Sequence, residues 1–369
     1  TCDAQCGSGK PPSTWSATCA GTPTCQTQYT CVQTCGAQAT CSRTCGNQPT
    51  CSGGTAACPV QPPIQPIPAG VPAGEIARFA AGRQNARNLA WKADGSEVYF
   101  VSEGEGIRSL LVDTGSIRAV TGNKEDSSPA AGPATKADVV AYLRGGQLAI
   151  MTADGTKTLS AGLGWQFSGC VWSPDGDSIV YTSTSLLSNR LGIYSVSSGS
   201  SRLLEWEKGS KASHLVWPSE SSCFFVVAGL KVSGRTFSSI MRGSATENPS
   251  EVVTVPGSVE ALAASPDGRI VYFISNKIIY SFDSKTGAQA IVADKAGDAL
   301  ALSPDGKWLL TNPAGIAVCP ADGGKLKQIV SAPGIREMSW SVRDQIAAVT
   351  TFGGRAEVWT FRVDDSILK

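Results

Sequence analysis

From residue 75 onward, short runs of hydrophobic and β-branched residues recur, each bounded by Asp-Gly or a related polar turn. Trp91-Lys92-Ala93-Asp94-Gly95 is followed by Glu97-Val98-Tyr99-Phe100, and Trp172-Ser173-Pro174-Asp175-Gly176 by Ser178-Ile179-Val180-Tyr181. Ser265-Pro266-Asp267-Gly268 before Ile270-Val271-Tyr272-Phe273, and Ser303-Pro304-Asp305-Gly306 before Trp308-Leu309-Leu310, repeat the arrangement. Proline presets one turn position and glycine accepts positive φ, so each motif predicts two antiparallel strands joined by a tight turn. The aspartates are thereby read as turn residues before they are read as catalytic candidates.

Taking the hydrophobic position before each turn gives Trp91, Val139, Trp172, Trp217, Ala264, Leu302 and Trp340. Seven units of about 33 to 48 residues, each with room for four short strands, match the repeat length of a β-propeller. The last unit holds three strands, around Met338 to Trp340, Ile346 to Thr350 and Ala356 to Val363. The run Ile76 to Phe79 is expected to supply its outer strand and so to fasten the ring through both ends of the chain, removing open sheet edges. The expected fold is all-β: a seven-bladed propeller over residues 75–369, preceded by a disulfide-rich extension and a proline-rich linker.

This body resembles the seven-bladed propellers of the TolB-like and related repeat families, whose repeat carries a Ser-Pro-Asp-Gly turn. Residues 173–176, 265–268 and 303–306 match it outright; 93–95, 153–155 and 321–323 keep Ala-Asp-Gly, and the unit around Trp217 has Pro218-Ser219-Glu220 instead. The resemblance covers roughly residues 75–365. It implies a scaffold shared by many functions, including periplasmic protein-binding members and propellers fused to peptidase domains. No such peptidase domain fits in this chain.

The N-terminal segment reads differently. Ten of the 13 cysteines fall in residues 1–58: Cys2, Cys6, Cys19, Cys25, Cys31, Cys35, Cys41, Cys45, Cys51 and Cys58. Thr30-Cys31-Val32-Gln33-Thr34-Cys35-Gly36 repeats ten residues later as Thr40-Cys41-Ser42-Arg43-Thr44-Cys45-Gly46, then begins again at Thr50-Cys51. With Asp3, Lys10 and Arg43 as its only charges and few apolar residues, the head cannot build a core, so all ten cysteines are disulfide candidates. A compact disulfide knot, an arm docking on a neighbouring subunit and a metal-thiolate cluster all fit, the last poorly, because the spacing is not Cys-x-x-Cys and no histidine is near. Residues 59–74 carry six prolines and predict an extended, semi-rigid spacer.

Composition narrows the function classes. The 369 residues carry 31 basic against 30 acidic side chains, and no basic run interleaves with aromatics, which argues against a nucleic-acid partner. No stretch approaches the roughly 20 apolar residues of a membrane span. Thr1 in place of an initiator methionine suggests a processed secreted form, and the cysteine usage suggests an extracellular, cell-surface or periplasmic setting.

Chemistry-bearing motifs are sparse. His214 is the only histidine, so it cannot build a multi-histidine metal site. Gly104-Glu105-Gly106 and Gly353-Gly354 read as hairpin turns and not as phosphate loops. No calcium-loop motif and no marked carboxylate pair is present, so no cofactor, no metal and no enzyme activity is expected. Cys170, Cys223 and Cys319 fall inside the propeller. A bridge between the first two is conceivable, and free buried thiols are the ordinary alternative. Asn248-Pro249-Ser250 is excluded as a glycan acceptor by its proline, and residues 11 to 30 are rich enough in Thr, Ser and Pro for O-linked sugar.

Two functions from different classes fit. One is a structural protein whose head reaches into the adjoining subunit, forming a filament, sheath or surface layer as a homo-oligomer or polymer. The alternative is an extracellular or periplasmic propeller that binds a protein or glycan partner on one rim.

Overall fold

The computed structural model describes residues 85–369 apart from 187, 188, 205–210, 220, 221, 233, 332, 333, 344, 353, 354, 364–367 and 369, together with the backbone of five short strands before residue 85. The chain divides into two compact units, Thr1–Pro63 and Ile64–Lys369. In the first, Ala17–Thr18 pairs antiparallel with Thr30–Cys31, and Thr40–Ser42 with Thr50–Ser52, where Cys41 lies opposite Cys51 in backbone register. The Thr-Cys pair of each decamer from Thr30 on is thus the extended part of its repeat. The ten head cysteines as side chains, and the proline spacer, lie outside the described residues.

The second unit is built from four-stranded antiparallel sheets. Blade 1 comprises Ala86–Trp91, Glu97–Ser102, Gly106–Leu111 and Ser116–Ala119; blade 2 comprises Asp126–Ala131, Val140–Arg144, Gln147–Thr152 and Gly155–Leu159. Blade 3 runs through Gln166–Trp172, Ser178–Thr184, Asn189–Ser195 and Ser201–Leu204, and blade 4 through Lys211–Ser219, Ser222–Val232, Arg235–Gly243 and Ser250–Pro256. Blade 5 contains Ala261–Ala264, Ile270–Ser275, Ile278–Asp283 and Gln289–Ala293; blade 6 contains Leu300–Leu302, Trp308–Thr311, Gly315–Pro320 and Lys327–Ser331. A closing sheet takes Glu337–Trp340, Gln345–Phe352 and Arg355–Arg362 from the C-terminal end. Its fourth strand is Ile76–Phe79, paired antiparallel so that Phe79 faces Val358 and Ile76 faces Phe361. The first strands of successive sheets touch one another in a closed ring, from blade 1 through blade 6 to the closing sheet and back.

Three parts of the sequence expectation need correction. The count of seven blades is corrected to six: six blades are complete within continuous chain, and a further sheet, joined as expected by Ile76–Phe79, closes the ring between them. Blade 2 begins earlier than expected. Val139 precedes its second strand, and the position equivalent to Trp91 and Trp172 is Ala131, paired with Val140 as Trp172 is paired with Ile179. The description as disulfide-rich fails among the described side chains, where Cys170, Cys223 and Cys319 are all free.

The core is distributed along the seams between sheets. Strand alternation sends consecutive residues of each second strand to opposite seams. Phe224 and Val226 join Phe273 against blade 5, whereas Phe225 and Val227 join Leu191 against blade 3. Leu309 likewise packs with Ile274, and Leu310 with Ile346 and Phe361. A strand buried on both faces must be apolar throughout, which is why these segments read as unbroken hydrophobic runs.

The turn motifs act as latches. Ser265 Oγ donates to Asp267 Oδ1 at 2.5 Å and accepts from the Ile270 amide at 2.8 Å, while the Arg269 amide donates to the same carboxylate oxygen at 3.0 Å. Ser173 with Asp175, and Ser303 with Asp305, form the same Ser–Asp link. Gly268, at φ 70°, occupies the left-handed position the turn requires. The hydrogen bond from Ser265 and that from the Arg269 amide hold the Asp267 carboxyl below its ordinary pKa. These aspartates are occupied in turn structure. The Ala-Asp-Gly stretches at 153–155 and 321–323 sit instead between third and fourth strands, at the same end of their blades.

Candidate functional site

Antiparallel order places the Ser-Pro-Asp-Gly turns at one face of the ring. The opposite face gathers the loops between second and third strands and the connections from each sheet to the next. On this second face each first strand enters the ring, and here the ladder is irregular. Register shifts fall between Arg87 and Ala90, Ser127 and Ala130, Phe167 and Gly169, and Ser213 and Val216. These β-bulges re-aim side chains near the start of the innermost strand in four consecutive blades. Asn88, Ser128 and His214 hold the same place in their strands and all have left-handed backbone, with φ of 56°, 50° and 52°. Such conformations are uncommon for residues with a Cβ and are tolerated best by short polar ones such as Asn.

The bulges also tie neighbouring sheets together. The Leu89 amide donates to Glu337 Oε2 of the closing sheet at 3.1 Å, and Trp91 Nε1 donates to the Ser339 carbonyl at 3.2 Å. Trp172 Nε1 donates in the same manner to the Ala130 carbonyl at 3.1 Å. Trp91 and Trp172 are thus inter-blade hydrogen-bond donors as well as packing residues, whereas the indole N–H groups of Trp217 and Trp340 are buried without such a partner.

His214 lies within the first strand of blade 4. Its Nδ1 is 2.9 Å from Ser213 Oγ, and its ring hydrogen-bonds to the backbone of Glu260 in blade 5. Much of His214 stays in solvent, and the hydration it loses where the ring meets blade 5 lowers the imidazole pKa from its ordinary value, opposed by the Glu260 contact, so the effect is a small one. The unfolded chain therefore takes up the proton at higher pH than the folded one. Stability contributed by neutral His214 is complete above about pH 6.5 and is lost as pH falls from there through the lowered folded pKa. Thermal melting at pH 7.5 and pH 5 is expected to show a larger drop in wild type than in His214→Asn, since Asn suits the left-handed backbone and does not titrate. Equal drops in the two proteins would contradict this.

Apolar and aromatic groups crowd the same face at blade 3. Leu163, in the connection from blade 2, and Leu186, in the loop after the second strand of blade 3, are wholly exposed. Between these segments the Arg190 guanidinium lies 3.5 Å from the centre of the Trp165 ring. This is a close cation–π stack that covers one face of the indole.

The other candidates are structural. Burial pushes the Cys170 thiol up to about 12, and those of Cys223 and Cys319 to about 11, so none is an activated nucleophile. Gly104 and Gly106 form a hairpin turn with φ of 77° and 84°, and Gly353-Gly354 lies outside the described residues. Among the described residues no three His, Cys, Asp or Glu side chains gather as metal ligands, and no helix is long and apolar enough to cross a membrane. Sequence reasoning missed the bulged first strands, whose only trace is a polar residue three positions before the hydrophobic marker, as at Asn88 and His214. It also missed Leu163, Trp165 and Arg190.

No protein-family model and no curated protein matches this chain. Solved structures do match in shape. The hydrazine synthase of Kuenenia stuttgartiensis, at 13% identity and a TM-score of 0.59, aligns over 78% of this chain and 99% of its own. An oligogalacturonate lyase in complex with manganese, at 16% identity and a TM-score of 0.61, aligns over 80% and 92%. U3-55K, at 12% identity and a TM-score of 0.62, aligns over 79% and 99%. Identities this low carry the propeller fold and nothing further. The expected TolB-like membership is therefore corrected to a β-propeller fold without an assigned family.

Proposed function

We propose that this chain is a binding propeller that recognises a protein partner through the loop face at blade 3, in an extracellular or periplasmic setting. The observation that carries the reading is the wholly exposed Leu163 and Leu186 beside the Trp165–Arg190 stack. Two large aliphatic side chains left in water beside an aromatic and an arginine have the composition of an interface centre. A protein is favoured over a glycan because the wholly exposed groups are aliphatic, Leu163 and Leu186, where sugar stacking relies on open aromatic faces, and Arg190 already takes one face of Trp165. The setting outside the cytoplasm rests on the ten cysteines of the head. The filament reading depends on head residues outside those described and is not carried forward.

A photo-crosslinking residue placed at Leu163 identifies the partner, and the double variant Leu163→Ser, Leu186→Ser then tests the surface. Affinity for that partner is expected to fall at least tenfold, while stability changes by no more than about 0.5 kcal/mol, as for other surface substitutions. Unchanged affinity would remove the blade 3 face as the docking surface.

A further inference from the structure

Six Asp-Gly pairs occur in the chain, at 94–95, 154–155, 175–176, 267–268, 305–306 and 322–323. In such a pair the glycine amide nitrogen can attack the preceding side-chain carboxyl, because glycine has no Cβ to obstruct the approach. The fold sorts the six by what holds the two reacting groups. Asp94 Oδ1 accepts from the Ser96 amide at 2.9 Å and from its hydroxyl at 2.6 Å. Asp175, Asp267 and Asp305 each accept from the serine two residues before and from the amide two residues after, all within 3.1 Å. In the same four turns the glycine amide donates to the carbonyl three residues before it, at 2.8 to 3.0 Å. Carboxylate and amide are thus both engaged elsewhere.

Asp154 differs. It stands at the tip of the hairpin joining the third and fourth strands of blade 2, within seven consecutive exposed residues, Thr152 to Thr158. Thr152 Oγ accepts from the Asp154 amide and donates to the Gly155 carbonyl, both at 3.3 Å, so it holds main chain and leaves the Asp154 carboxylate without a hydrogen bond among the described residues. Gly155 pairs with Thr152 in the last rung of the hairpin, where fraying is easiest, and no atom lies within 4 Å of where its Cβ would stand. Asp322 also lacks a serine latch, but there the Gly323 amide donates to the Pro320 carbonyl and the Gly324 amide to the Val292 carbonyl of blade 5, each at 3.1 Å. We propose that Asp154 is a site of spontaneous isoaspartate formation, and that the fold protects the other five Asp-Gly pairs. The Gly155 nitrogen attacks Cγ of the Asp154 carboxylic acid, a C–N bond closes a succinimide, and the amide proton leaves with the acid hydroxyl as water. Water then adds to one ring carbonyl: attack at Cγ restores aspartate, and attack at the main-chain carbonyl leaves Gly155 linked through the side chain. That product inserts a methylene into the main chain beside Gly155–Leu159, the strand whose Lys157 Nζ donates to Tyr194 Oη of blade 3 at 2.9 Å.

The full chain is incubated at pH 5 and 37 °C in water enriched in heavy oxygen, and its peptides are mapped by mass spectrometry. Isoaspartate is expected to accumulate at Asp154 at least tenfold faster than at Asp94, Asp175, Asp267 and Asp305, carrying the heavy oxygen that succinimide hydrolysis introduces. Asp154→Glu, whose longer side chain closes the ring poorly, is expected to abolish that product. In urea sufficient to unfold the chain, the six pairs are expected to react within severalfold of one another. Ser265→Ala is expected to raise the rate at Asp267 severalfold, and Ser173→Ala that at Asp175, with the melting temperature confirming that each variant is folded. Equal rates at all six sites in the folded protein, no product at Asp154, product without heavy oxygen, or folded serine variants with unchanged rates would overturn the proposal. The hairpin lies at the turn face of the ring, opposite Leu163 and Leu186, and the measurement involves no partner, so its outcome is independent of the binding reading.

Discussion

Deleting Ile76–Phe79 is expected to destabilise the propeller by roughly 2–5 kcal/mol and to make it associate with itself. These four residues pair along Val358 to Phe361 and form the outer strand of the closing sheet. A backbone hydrogen bond contributes about 1 kcal/mol net, so losing a four-residue ladder removes a few kcal/mol. Without it, Arg355–Arg362 becomes an open edge whose amides and carbonyls are available to another chain. Denaturant unfolding read at several protein concentrations, alongside light scattering, checks both parts. An unchanged midpoint with a monomeric deletion variant would show that the ring does not depend on this closure. The effect should exceed that of removing Ser116–Ala119 from blade 1, whose residues are all exposed and close no ring.

The second large effect is expected at the start of blade 2. Asp126 is fully buried, and Arg144, directly opposite in register, donates to its two carboxylate oxygens from Nε at 2.8 Å and Nη2 at 2.9 Å. Asp126 holds the Arg144 guanidinium charged, raising its pKa further above an already high ordinary value. Removing one partner of a buried pair strands the other charge, at a cost of about 3–5 kcal/mol. The two halves are unequal. Arg144→Ala takes both charge-assisted hydrogen bonds from a carboxylate that is otherwise buried and is expected to cost about 3 kcal/mol, at the low end of that range because the truncation also uncovers Asp126. Asp126→Asn leaves an arginine side chain that is 35% exposed and can rehydrate, so its cost is expected to be smaller. Urea unfolding of both variants distinguishes this ordering from the reverse.

The strands were legible because a propeller repeats its local chemistry. Ser-Pro-Asp-Gly demands a particular turn, Ser265 and Asp267 close it through their own side chains, and the apolar run after it has to be a strand buried on both faces. Blade 2 was misplaced for an equally local reason. Its first strand, Asp126–Ala131, carries Pro129 and small residues, so the nearest valine, Val139, stood out as the marker. The candidate surfaces were illegible because exposure is no property of a residue type. Leu163 and Leu203 are the same side chain, yet one stands wholly in water and the other is about half covered.

The amino-acid sequence by itself determined that the body is all-β, where most of its hairpins turn, and that the strand at Ile76–Phe79 belongs with the last strands of the chain. Those are consequences of turn stereochemistry and of hydrophobic period, which act over a few residues. Only the tertiary structure decided that Asn88, Ser128 and His214 occupy equivalent left-handed bulges, that Asp126 is sealed under Arg144, and that the indole N–H groups of Trp217 and Trp340 are buried without a partner. Each of these depends on how a neighbouring blade covers or leaves open a polar group, and that is set by the closure of the ring and not by the residues adjacent in the chain.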